Sequence, residues 1–118
     1  MSSVSETIHA AALAWPGVQS VPHQFGAVEF TIGDREIGHL HGNTLLDVPF
    51  PRAVREELVA AGLAEPHHFL PQIGWVSFRI RRADDCAAAI ALLRKSYDLI
   101  TAQLQRRAAQ AAAAKKSA

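Results

Sequence analysis

Two alternating segments joined by a short turn limit the fold more than any other part of the sequence. Residues 28–32 alternate apolar and polar side chains, the period-two pattern of a strand with one buried face. Gly33-Asp34 predicts a two-residue turn, because glycine adopts the positive φ that tight hairpin turns require. Residues 35–41 are then the return strand, so the sequence predicts an antiparallel hairpin.

The pairing within this hairpin decides which face of the sheet two histidines occupy. Counting outward from the turn pairs Phe30 with Ile37 and Val28 with His39. Residues directly opposite each other share a face of the sheet. We therefore predict that His39 and His41 project on the same side as Val28 and Phe30, the side that the hydrophobic pattern assigns to the core.

Further strands and helices are predicted along the chain. A Ser-x-x-Glu capping box at residues 3–6 begins a helix that runs from about residue 5 to Trp15. A second helix follows Pro51 and ends near Gly62. The remaining strands are predicted at residues 18–22, 45–50, 65–70 and 75–80.

The last predicted element is a long C-terminal helix with Asp84 at its N-cap. Its apolar stripe has alternating spacings of four and three: Cys86, Ile90, Leu93, Tyr97, Ile100 and Leu104. Hairpins combined with helices predict a single α+β domain, with a mainly antiparallel sheet and helices packed on one face. We assign residues 1–105 to this domain and residues 106–118 to an Ala/Lys-rich tail.

Composition excludes several classes of protein. A chain of 118 residues fits one globular domain, and its single cysteine excludes an internal disulfide and a multi-cysteine zinc finger. A formal net charge of +1 argues against nucleic acid as a partner. Polar residues and prolines interrupt the uncharged stretch at residues 7–28, and no lysine or arginine precedes Arg35. We expect a cytoplasmic protein without a membrane partner.

Histidine is the residue type that points to a site, since six occur in this short chain. In His39-Leu40-His41 the two histidines are two positions apart on a strand, so both rings lie on one side of the sheet. His67 and His68 are adjacent and face opposite ways, so at most one of them joins the same pocket. The sequence does not choose between them.

Three interpretations of the histidines stay open. They bind a transition metal with a third histidine or a carboxylate such as Asp47 or Glu29, they line a pocket for an organic ligand and carry protons, or they stabilise the sheet through backbone hydrogen bonds. Glu29 is predicted on the opposite face from His39, and Asp47 either orients a histidine or caps a turn. Trp75 either walls the pocket or covers a second cluster, and Ser77 lies next to no base in a recognised pattern.

An ordered series of short motifs resembles the luciferase domain family. They are Pro22-His23-Gln24-Phe25-Gly26, Glu36-Ile37-Gly38-His39-Leu40-His41-Gly42, Leu46-Asp47-Val48-Pro49-Phe50-Pro51, Glu65-Pro66-His67-His68 with Gly74-Trp75-Val76-Ser77-Phe78, and Leu92-Leu93-Arg94-Lys95-Ser96-Tyr97. The resemblance covers roughly residues 20–100. This family of small bacterial proteins shares its domain with the luciferase of bioluminescent fungi. The order of elements also resembles the MmcQ/YjbR proteins, for which a DNA-binding role is proposed.

The resemblance to the luciferase domain family implies chemistry and site residues. The fungal enzyme oxidises a hydroxylated pyrone with molecular oxygen and is not known to need a flavin or a metal, so no bound cofactor is implied. The candidate catalytic residues, carried over motif by motif, are His39, His41, His68 and Asp47. The candidate ligand-binding residues are His23, Phe25, His67 and Trp75.

The sequence therefore favours a domain that binds a small aromatic or enol-type molecule in a histidine-lined pocket. As an oxidoreductase of the cofactor-independent oxygenase type, it would use a neutral histidine to remove a proton from an acidic hydroxyl. Neighbouring imidazoles would stabilise the resulting anion for reaction with oxygen. Whether the domain is an enzyme stays open, as do a homodimer, a metal-binding role and a non-catalytic module for nucleic acid or protein.

Overall fold

The computed structural model describes residues 3–22, 26–67 and 74–117. Its strands form one six-stranded antiparallel sheet of order β1-β2-β3-β4-β6-β5. The strands are β1 (Val18–Pro22), β2 (Ala27–Ile32), β3 (Arg35–His41), β4 (Leu45–Pro49), β5 (Glu65–Pro66) and β6 (Trp75–Arg79). The predicted hairpin of β2 and β3 is confirmed, and Gly33 in its turn has a φ of 61°.

Three α-helices accompany the sheet: α1 (Val4–Leu13), α2 (Arg52–Ala60) and α3 (Cys86–Ser117). The predicted capping box begins α1, with Ser3 Oγ accepting from the backbone N–H of Glu6 and Glu6 accepting from that of Ser3. A 3₁₀ turn (Ala83–Asp85) precedes α3, and within it the carboxylate of Asp85, not that of the predicted Asp84, accepts from the backbone N–H groups of Arg81 and Arg82. Helix α3 continues without a break through the Ala/Lys-rich tail.

The hydrophobic core lies between the helices and one face of the sheet, which confirms the predicted α+β architecture. Phe30, Leu40 and Leu46 project from the sheet into this core and are fully buried or nearly so. Leu93 meets them from α3, and Ile8 meets them from α1. Burial of such side chains from water is the main stabilising contribution to a domain of this size. Among the described residues, no helix has the length and apolar character that a membrane crossing requires.

A β-bulge in β3 overturns the predicted pairing of the hairpin. The pairs next to the turn follow the prediction, but the register shifts between Phe30 and Thr31, so that Phe30 pairs with Gly38 and Ile37 is the extra residue. A one-residue slip moves every later side chain to the other face of the sheet. His39 therefore pairs with Glu29 and not with Val28, and the prediction that His39 and His41 face the core is wrong.

The bulge also brings β3 very close to α3 at Gly38. A Cβ added there would lie 2.6 Å from Leu93 Cδ1 and 3.1 Å from the backbone oxygen of Asp47. Leu93 is completely buried, so its side chain has little room to move. Glycine at this position therefore lets the helix pack directly on the strand.

We expect Gly38→Ala to lower the free energy of unfolding by about 1–3 kcal/mol, the usual cost of overpacking a filled core. In a Leu93→Ala background the same substitution should cost clearly less, because the closest atom is gone. Urea unfolding of the four proteins in this cycle measures the difference. An equal cost in both backgrounds would contradict the close approach.

Candidate functional site

Polar side chains form a row across the face of the sheet that is turned away from the helices. Glu29 pairs with His39, His39 with Asp47, and Asp47 with Ser77, so all four project to the same side. His41 follows two residues after His39 on β3 and shares that side. In β3, β4 and β6, Leu40, Leu46 and Val76 lie on the core face, while His39, Asp47 and Ser77 lie on the other. The prediction that Glu29 and His39 lie on opposite faces of the sheet is therefore also wrong, because the register shift pairs them directly.

Asp47 is the centre of this row, and its carboxylate is completely buried. Its Oδ2 atom lies 3.0 Å from Nε2 of His41, 3.2 Å from Nε2 of His39 and 3.7 Å from Nε2 of His67. A buried carboxylate is costly unless hydrogen bonds and positive charge compensate it. Asp47 therefore contacts the histidines directly, and its role in orienting them stays a prediction.

The second carboxylate oxygen of Asp47 is held by Ser77. The hydroxyl of Ser77 donates to Oδ1 at 2.6 Å, and Ser77 is itself buried. This short bond fixes the rotation of the carboxylate and directs Oδ2 toward the imidazoles. Sequence reasoning did not assign Ser77 a role, although its position two residues after Trp75 on a strand already placed both on one face.

Glu36 is a second residue that sequence reasoning missed. Its Oε2 atom accepts from Nδ1 of His39 at 2.6 Å. Residues three apart on a regular strand face opposite ways, but the bulge at Ile37 lies between these two and restores them to one side. No local sequence pattern indicates a bulge of this kind, so the Glu36–His39 contact was not predictable from residue spacing.

Two carboxylates therefore flank the ring of His39. Burial alone lowers the pKa of His39, but hydrogen bonds to Asp47 and Glu36 outweigh that effect and raise the pKa from 6.5 to about 9. At neutral pH the ring is a cation that donates from both nitrogens. This differs from the neutral proton acceptor that the sequence-based mechanism assigns to a histidine.

The protonated ring of His39 should make stability depend on pH. Because the pKa is higher in the folded state, its stabilising effect is complete below about pH 6.5 and is lost as the pH rises through about 9. We expect the free energy of unfolding to fall across this window, and to fall less steeply in His39→Gln. Urea unfolding at several pH values measures both slopes, with His9→Gln as a control outside the site. Equal slopes for wild type and His39→Gln would contradict the assignment.

Trp75 lies against the histidines of the cluster. Its ring centroid lies 5.2 Å from that of His39 and 6.2 Å from that of His67. The rings of His39 and His41 meet edge to face, with centroids 4.8 Å apart. Aromatic neighbours in these arrangements restrict the orientation of each imidazole.

A cavity of about 420 Å³ lies beside the cluster. It opens where the pairing of β3 and β4 ends, just beyond His39 and Asp47. Glu36 and Trp75 line the cavity and also contact His39, so they connect it to the histidines. The other lining residues come from the start of β3, the end of β4 and α3: Arg35, Pro49, Phe50, Pro51, Ser96, Leu99, Ile100 and Gln103.

The structure brings together five of the eight predicted site residues: Asp47, His39, His41, His67 and Trp75. The other three, His23, Phe25 and His68, lie outside the described residues. His67 directly follows β5, and its Nε2 atom lies 3.7 Å from Asp47 Oδ2. Of the two adjacent histidines, His67 is therefore one that joins the cluster. We refer below to Asp47, His39, His41, His67, Glu36 and Ser77 as the Asp47 cluster.

The donor atoms of the Asp47 cluster are suited to a metal ion as well as to an organic guest. One ligand atom each from His39, His41 and Asp47 lies within 4.8 Å of the others. Imidazole nitrogen and carboxylate oxygen are common ligands of zinc, iron and copper. Protonated imidazoles can instead donate hydrogen bonds to an anionic guest, which the carboxylate of Asp47 cannot do.

A family model described as a luciferase domain matches residues 34–96, more than half of the chain. The matched segment contains the bulge, the His-x-His pair, Asp47 and Trp75. No curated protein and no solved structure matches the chain, and the resemblance to the MmcQ/YjbR proteins is not confirmed.

Proposed function

The chain belongs to the luciferase domain family, and from that premise we propose that it binds a small aromatic or enol-type molecule beside the Asp47 cluster and oxidises it with molecular oxygen. Membership supplies the coarse link to a luciferase-like function. The observation that carries the finer proposal is the cavity of about 420 Å³ that borders the cluster through Glu36 and Trp75. Small-molecule sites in proteins have volumes of about 300–1,000 Å³.

The walls of the cavity fit a flat molecule with one polar edge. Phe50, Leu99 and Trp75 supply apolar surface, and an aromatic ring can stack on the indole. Glu36 lies on the side of the cavity that borders the Asp47 cluster, while Arg35 is hydrogen-bonded to Gln103 near the helix. An acidic hydroxyl would point toward Glu36.

The chemical role of the cluster follows from the order of its residues, counted outward from the cavity. Glu36 lines the cavity, so its carboxylate is the proposed acceptor for the proton of the guest's hydroxyl. His39 lies directly behind Glu36, and the positive charge of its protonated ring stabilises the negative charge that develops on the guest. This modifies the sequence-based mechanism, in which a histidine was the base.

Oxidation would then proceed on the deprotonated guest. The enolate carbon gives an electron pair to molecular oxygen and forms a C–O bond. The C=C π bond of the enolate supplies that pair, the enolate C–O becomes a carbonyl, and the O=O bond is reduced to a single bond. The proton held by Glu36 passes to the distal oxygen and gives a hydroperoxide, so the only σ bond broken is the original O–H. Oxygen is the oxidant, and this step needs no flavin. We place this activity in a cytoplasmic protein whose partner is the organic molecule.

Binding of a panel of phenols and hydroxypyrones tests the proposal. We expect Glu36→Gln, His39→Ala and His41→Ala each to weaken binding of the best ligand by about tenfold or more, which corresponds to about 1.4 kcal/mol. Isothermal titration calorimetry measures affinity, and an oxygen electrode measures consumption of O₂ with the same ligands.

His9→Gln is the matched control, because His9 contacts Ser20 and Phe30 rather than the Asp47 cluster. It should bind the panel as wild type does. If His39→Ala and His41→Ala also bind every member as wild type does, the site lies elsewhere and the proposal is wrong.

A further inference from the structure

Three imidazole nitrogens lie around Oδ2 of Asp47. Two hydrogen-bond donors are enough for one carboxylate oxygen, so the third nitrogen needs another explanation. Nε2 of His41 and of His39 are within hydrogen-bond distance of Asp47 Oδ2, at 3.0 and 3.2 Å. Nε2 of His67 points to the same oxygen from 3.7 Å, too far for a hydrogen bond. All three rings present the same nitrogen, although they come from two separate parts of the chain.

The distances from Asp47 Oδ2 to the three nitrogens are of the size that separates neighbouring ligand atoms around a tetrahedral metal ion, and one ligand atom each of His39, His41 and Asp47 lies within 4.8 Å of the others. With metal–nitrogen and metal–oxygen bonds of about 2.0–2.2 Å, two neighbouring ligand atoms lie about 3.3 Å apart. The three distances of 3.0, 3.2 and 3.7 Å from Asp47 Oδ2 bracket that value. We propose that His39, His41, His67 and Asp47 form a four-coordinate site for a divalent transition-metal ion, with zinc as the best-fitting member.

The residues behind the ligands are an independent argument for the site. A metal-bound histidine commonly donates its other ring N–H to a carboxylate, which fixes the ring and makes the coordinating nitrogen a better ligand. Glu36 holds Nδ1 of His39 in this way at 2.6 Å. Ser77 does the equivalent for Asp47, since its bond to Oδ1 leaves Oδ2 directed at the three imidazoles.

Charge and connectivity favour the same conclusion. Metal binding displaces the Nε2 proton of His39 to solvent, and the resulting ligand set of three neutral imidazoles and one carboxylate carries one negative charge, to which Glu36 adds a second. A divalent ion neutralises both in a region where Asp47 is fully buried. The ligands lie on β3, on β4 and immediately after β5, so a bound ion would fasten the end of β5 to the middle of the sheet. Four protein ligands are typical of a structural site.

This inference goes beyond the proposed function, which concerns the cavity on the other side of Glu36. It also differs from the expectation that no metal is bound, which the resemblance implied. The two proposals have separate readouts, because metal affinity is measured without an organic ligand and panel binding is measured in chelator-treated protein. A failure of one measurement therefore leaves the other interpretable.

The test uses full-length protein without a histidine tag, stripped with a chelator and titrated with Zn²⁺ by calorimetry. We expect one ion per chain, and Co²⁺ should give the intense visible bands of tetrahedral coordination. His67→Gln should weaken Zn²⁺ binding strongly, and Glu36→Gln should weaken it by about 10–100-fold, the usual effect of losing a carboxylate behind a ligand. His9→Gln should bind as wild type does.

Two results would overturn the site. One is stoichiometric Zn²⁺ binding that His39→Gln, His41→Gln and His67→Gln all leave unchanged. The other is wild-type protein that does not hold Co²⁺ in tetrahedral coordination, seen either as only the weak bands of octahedral coordination or as no Co²⁺ binding. The Co²⁺ spectrum needs no variant, so the proposal stays falsifiable even if a substitution prevents folding.

Discussion

A fully buried carboxylate organises the polar side of this domain. Asp47 lies in the middle of the sheet, where an isolated negative charge would be strongly unfavourable. Ser77 and the imidazoles of His39 and His41 compensate it, and His67 approaches the same oxygen. Removing one member leaves the others with an unmatched charge or donor, so these residues depend on one another.

The bulge in β3 makes this arrangement possible. Without the extra residue Ile37, His39 and His41 would face the core and α3, where Gly38 already leaves no spare room. With the bulge, both histidines lie on the open face of the sheet and Glu36 joins them. Bulges are frequent next to functional sites because they redirect side chains in this way. The packing of the core and the geometry of the site therefore depend on the same irregularity.

The regular elements were predictable because their signals are local. Alternation of side chains, the turn at Gly33 and the capping box at Ser3 each depend on a few neighbouring residues, and the structure has all three features. The apolar stripe of α3 likewise follows from helical periodicity, and Leu93, Tyr97 and Ile100 are buried.

The details of the site were less predictable because they depend on long-range geometry. Residue type and spacing predicted that His39, His41 and one of the pair His67 and His68 come together, without choosing between the last two. The predicted facing of His39 and His41 was wrong because pairing was counted without a bulge. Glu36 and Ser77 were missed because their roles arise only after the strands have paired. Such contacts join residues that are up to 30 positions apart, and no local pattern encodes them.

Coupling between Asp47 and His39 is the quantity on which this description depends most directly. A double-mutant cycle with Asp47→Asn and His39→Gln, followed by urea unfolding of the metal-free protein near neutral pH, measures it. If the two residues depend on each other, we expect a coupling energy above about 1 kcal/mol. Asp47→Asn alone should lower the free energy of unfolding by about 3–5 kcal/mol. Additivity of the two substitutions within about 0.5 kcal/mol would show that the histidines do not hold this carboxylate, and would contradict the account.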